Sequence, residues 1–109
     1  MHPDDFQREV MRTAPIYMAQ PEAQAMGAMG LTGEAGECSD LLKKAIFHSH
    51  PLDLDALKLE LGDTLWYLTF LCEIHGFTLS DVMDAVTAKL RRRYPDGFDA
   101  ARSRERAGE

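Results

Sequence analysis

Two acidic pairs, Glu34 with Glu37 and Glu60 with Asp63, constrain this chain more than any other feature. Each pair is spaced three apart in a stretch that reads as helix, so its members stand side by side on one face and repel. On a wheel turning by about 100° per residue, Glu60 and Asp63 fall in the middle of the apolar arc built by Leu57, Tyr67, Leu68 and Leu71. Lys58, Gly62, Thr69 and Glu73 collect on the opposite side. In the other stretch, Leu31, Cys38, Leu41 and Ala45 lie within about 60° of Glu34, with Glu37 about 60° to one side. The chain must therefore fold with four carboxylates turned toward neighbouring helices.

Burying ionised carboxylates unpaired costs several kcal/mol each, and mutual repulsion adds to it. A divalent cation offsets both. Oxygen-only donors, without His or Cys at matching spacing, suit a hard ion such as Mg²⁺, with Mn²⁺ as the alternative. The metal ligands are thus expected to be Glu34, Glu37, Glu60 and Asp63. The glycines around the first pair need a separate reason, because glycine inside a helix costs roughly 1 kcal/mol relative to alanine. Gly33 and Gly36 lie off the carboxylate direction and read as sites of close helix approach, whereas Gly30, one turn before Glu34, reads as room for a substrate.

The remaining text supports an all-α domain. Nowhere does apolar and polar sequence alternate as in a strand, and no repeat is visible. Four main helices are expected. The first runs from about Asp4 to Ala14, the second from about Glu22 to Phe47, with Pro15 and Pro21 breaking the stretch between them. Asp53 is a suitable N-cap for the third, which ends at Gly76; Thr78 and Asp81 form a capping box for the fourth, which stops at Pro95. The charged residues from about 99 read as a loosely held tail. These helices are expected to pack as a bundle in a single domain over residues 1–109, and a chain this short gains from self-association.

A net charge of −6 argues against nucleic acid as a partner. The longest apolar runs, such as Leu65 to Cys72, are too short to span a membrane. Cys38 and Cys72 sit inside apolar helical patterns and read as buried free thiols, and the polar N-terminus lacks a signal peptide's apolar core, so the expected location is the cytoplasm.

The stretches from Gly30 to Asp53, Leu59 to Leu68 and Lys89 to Phe98 resemble the MazG-like all-α nucleoside triphosphate pyrophosphohydrolases. That family carries E-x-x-E followed, about one helix later, by E-x-x-D; here the two are Glu34-Ala-Gly-Glu37 and Glu60-Leu-Gly-Asp63. The resemblance implies Mg²⁺-dependent cleavage of a nucleoside triphosphate between its α- and β-phosphates, with the four carboxylates as metal ligands. It also implies a homodimer or homotetramer in which facing helices complete each site. Members of the group often have Asn three residues before the lysine of Lys89-Leu90, where this chain has Val86.

Glu34 and Glu37 are the expected catalytic residues; Glu37, at the edge of the arc, is suited to orient or deprotonate the attacking water. Lys44, Lys89 and Arg93 are the candidates for phosphate contacts, and Tyr67, one turn after Asp63, for stacking on a base or bonding a sugar. Removal of surplus or damaged (d)NTPs is the leading functional expectation. Phosphoribosyl-ATP pyrophosphatase, a near relative with similar carboxylate helices, is one alternative. A non-catalytic helical module with a vestigial metal site, kept open by Val86, is another.

Overall fold

A computed structural model describes residues 1–15 and 17–105. Among them the chain forms five helices and no strand: α1 (Pro3–Thr13), α2 (Gln20–Phe47), α3 (Leu54–Ile74), α4 (Leu79–Arg93) and α5 (Ala100–Glu105). The termini follow from local chemistry. His2 Nδ1 accepts the Asp4 N–H at the start of α1, Asp53 accepts that of Ala56 at the start of α3, and Thr78 with Asp81 forms the expected capping box of α4. Gly76, at φ +80°, closes α3 in the left-handed conformation that glycine adopts without penalty.

Two boundaries differ from expectation. α2 begins at Gln20, ahead of Pro21, because proline in a first turn lacks an N–H that would have no helical partner there anyway. The break before α2 includes residue 16, which lies outside the described residues. The charged tail contains α5, capped by Asp99 through the Ala101 N–H, and Arg102 Nε donates to the Arg93 carbonyl at 2.7 Å. The last four residues of that tail lie outside the described residues.

α2 and α3 form a long antiparallel hairpin, by far the largest helix contact in the chain. Its register can be read from paired residues: Gly27 meets Leu71 and Phe70, Gly30 meets Tyr67, Glu34 meets Asp63 and Glu60, and Cys38 meets Thr64. Close approach occurs at Gly27 and Gly30. A Cβ on Gly33 or Gly36 would meet nothing within 4 Å, so the expectation that these two glycines bring helices of this chain together is not met. They point away from the α3 side of the helix.

α1 and α4 cover the other side of α3. This is why Thr69, expected on the polar side, is fully buried, with its hydroxyl donated to the Leu65 carbonyl at 2.7 Å. The core cluster is Val10, Ala23 and Phe70, with Phe6, Met11, Met18, Met26, Trp66 and Ile74 packed against it. Burying Phe70 alone contributes about 1.5–3 kcal/mol. Cys38 and Cys72 are buried free thiols, as expected.

α1 also supplies polar partners to the N-terminus of α4, whose first N–H groups have no helical acceptor. Gln7 Oε1 accepts the Leu79 N–H at 2.6 Å, and Asp4 accepts both the N–H and the hydroxyl of Ser80, at 3.2 and 2.5 Å. Gln7 Nε2 donates to Glu73 and to the Phe77 carbonyl. The clamp fixes α1 along α3, which places Thr13 beside the acidic residues described next.

Candidate metal centre

The E-x-x-D pair rises from the middle of α3 and Glu34 faces it from α2. One carboxylate oxygen from each of Glu34, Glu60 and Asp63 lies within 4.8 Å of the other two. Glu34 and Glu60 are half-buried and Asp63 is exposed. Beneath them, Thr64 donates its hydroxyl to the Glu60 carbonyl at 2.8 Å and approaches Cys38 Sγ at 3.9 Å. Neither residue brings a positive charge to the carboxylates.

Crowding shows in the electrostatics. Glu34 is held above the ordinary carboxylate value, first by its side-chain hydrogen bond with Glu60. Partial desolvation and the charges of Asp63, Glu60 and Glu37 act in the same direction. Glu60 Oε2 is sealed from solvent without a hydrogen-bond partner. A buried carboxylate oxygen in that state is destabilising unless something positive is bound there.

A cavity of about 330 Å³ opens beside the cluster, lined by Thr13, Glu34, Asp63, Trp66 and Tyr67. Its walls are ordered by packing. The Trp66 indole N–H donates to Thr13 Oγ1 at 3.1 Å, its ring stacks on Phe70 at 5.6 Å, and Tyr67 meets it edge-on at 5.0 Å. The space beside Gly30, expected to be room for a substrate, is filled by the Tyr67 ring.

The other residues singled out from the sequence lie elsewhere. Glu37 is exposed, one turn after Glu34 on α2, close enough to act on Glu34 through charge but outside the group of three. Lys44 pairs with Asp40 at 2.8 Å, which raises its pKa. Lys89 lines a separate cavity of about 560 Å³ with Phe77, Asp81, Val82, Ala85 and Val86. Arg93 is half-buried near the Tyr94 ring. Among the described residues, no lysine or arginine lines the carboxylate cavity. Thr13 was not legible as a site residue, because only the docking of α1 brings it there; Trp66, beside Tyr67 at the margin of the apolar arc, was the readable signal for this wall.

The donors fit a hard divalent cation. They are oxygens only, they are clustered, and one is buried without a partner. The sequence matches the MazG nucleotide pyrophosphohydrolase domain over residues 23–98. The chain belongs to this family. The MazG match spans both carboxylate pairs, Tyr67 and Lys89, and leaves out α1 with Thr13. The chain is also 32% identical over 106 residues to the Gene 37 protein of Mycobacterium phage L5, an alignment covering 89% of this chain and 92% of that protein. No solved structure matches the chain. Among the described residues, no helix is long and apolar enough to cross a membrane.

Proposed function

We propose that this MazG protein hydrolyses nucleoside triphosphates between the α- and β-phosphates, releasing a (d)NMP and pyrophosphate, and so clears surplus or damaged nucleotides in the cytoplasm. The observation that carries this reading is the trio of Glu34, Glu60 and Asp63 with its sealed, partnerless Glu60 oxygen. These three residues would hold Mg²⁺, or Mn²⁺, whose charge would offset that of the phosphates. Glu37, exposed at the rim, orients a water and accepts its proton as the oxygen adds to the α-phosphorus. The α-phosphorus–oxygen bond to the β-phosphate breaks, and pyrophosphate leaves with the bridging oxygen. Tyr67 receives the nucleoside end in the cavity beside Asp63.

The phosphate-binding cations fit this reading as contributions across paired copies, in a homodimer or homotetramer. Two observations support pairing. The radius of gyration, 17.0 Å, is well above the roughly 13 Å of a compact chain of this length. Leu59 and Leu61 of α3 and Ile46 and Phe47 of α2 are more than half exposed, as is Phe77 before α4. Lys44, Lys89 and Arg93 are the residues assigned to the phosphates.

The test is incubation with Mg²⁺ and a panel of standard and damaged (d)NTPs, with phosphoribosyl-ATP included. Turnover of one or more (d)NTPs is expected. Inertness toward every (d)NTP refutes the proposal.

A further inference from the structure

We propose that Gly30 is a specificity-determining position of this site, acting through Tyr67; the inference rests on reading the carboxylate cavity as a nucleotide site. A Cβ built at residue 30 would stand within 2.5 Å of three atoms of the Tyr67 ring, Cε1, Cδ1 and Cζ. Any side chain at this position therefore displaces the ring. With glycine there, the ring lies directly on the backbone of α2, one turn before Glu34. Trp66 meets it edge-on at 5.0 Å, and Trp66 is itself held by Thr13 and stacked on Phe70.

Tyr67 is thus fixed before any ligand arrives, between a helix backbone and an anchored indole. The same ring lines the cavity shared with Glu34 and Asp63. A pre-set aromatic wall binds a planar base or a sugar without first having to be ordered. Gly30 and Tyr67 therefore govern recognition of the nucleoside end, while the carboxylates govern the phosphates. Glycine here is the cost of that division, since alanine would suit the helix better.

Kinetics on four proteins test this: wild type, Gly30→Ala, Tyr67→Leu, and the double variant. For the (d)NTP that wild type turns over best, Gly30→Ala is expected to raise KM about tenfold, the size of one lost stacking contact, with kcat little changed. The inhibition constant of inorganic tripolyphosphate, which has no nucleoside, is expected to stay the same. Tyr67→Leu, which empties the seat without touching α2, should act the same way even if Gly30→Ala folds poorly. In the Tyr67→Leu background, Gly30→Ala should add nothing. Equal effects of Gly30→Ala in both backgrounds, an unchanged KM in Tyr67→Leu, or tripolyphosphate inhibition weakening in step with KM would overturn the proposal. An inert wild type would overturn it together with the pyrophosphohydrolase reading.

Discussion

Glu60→Gln separates the two consequences of crowding three carboxylates between α2 and α3. Without metal, Glu60 carries a sealed oxygen that lacks a partner, and its side chain, by hydrogen bond and then by charge, raises the pKa of Glu34. The amide removes that charge and can donate a hydrogen bond to Glu34. In a chelator, the variant is therefore expected to melt above wild type. With metal the order reverses. A ligand bound only by the folded state stabilises it by about 2.7 kcal/mol at a hundred times its Kd. For a domain of this size, that corresponds to roughly 10–20 °C in Tm. Wild type should gain a shift of this order on saturation with Mg²⁺, and Glu60→Gln little or none. Thermal melts of both proteins, with chelator and across a Mg²⁺ titration, read the crossing directly. A variant that is less stable than wild type in chelator and still gains the full Mg²⁺ shift would rule out this role for Glu60. It would mean that Glu60 is an ordinary structural residue and takes no part in holding Mg²⁺.

Other substitutions test the frame that positions the site. Gln7→Leu leaves the buried Leu79 N–H without a partner, while the exposed Glu73 and Phe77 turn to water, for a loss of roughly 1–3 kcal/mol in urea denaturation. A loss under about 0.5 kcal/mol would mean that α1 is held by apolar packing alone. Asp4 is held below its ordinary value of 3.8, chiefly by the Ser80 hydroxyl. Its contribution is therefore present above that pH and disappears as pH falls through the lower folded value. Asp4→Asn should be less stable than wild type near neutrality, with the gap closing in acid; a gap independent of pH would contradict this.

The helices and the carboxylate geometry were legible because both depend on local signals. Capping residues fixed α3 and α4, and a period near 3.6 residues turned Glu34, Glu60 and Asp63 toward one another. What escaped the sequence depends on which helix lies opposite. A wheel assigns Gly33 and Gly36 a direction but not a neighbour, and the α2–α3 register gives the close contacts to Gly27 and Gly30 instead. Thr69 looked polar-facing because the wheel could not show that α3 is covered on both sides. The polar clamp from Asp4 and Gln7 to the start of α4 spans more than 65 residues, beyond any local pattern. Lys44, Lys89 and Arg93 were chosen for charge and face, and where they meet a phosphate depends on how copies of the chain assemble.

Water adding at the α-phosphorus leaves a signature in the products. The most direct measurement is product analysis with the preferred nucleoside triphosphate and Mg²⁺ in water labelled with heavy oxygen. Attack at the α-phosphorus predicts equal amounts of nucleoside monophosphate and pyrophosphate, with the label in the monophosphate. Nucleoside diphosphate with inorganic phosphate, or label appearing in the pyrophosphate, would contradict it.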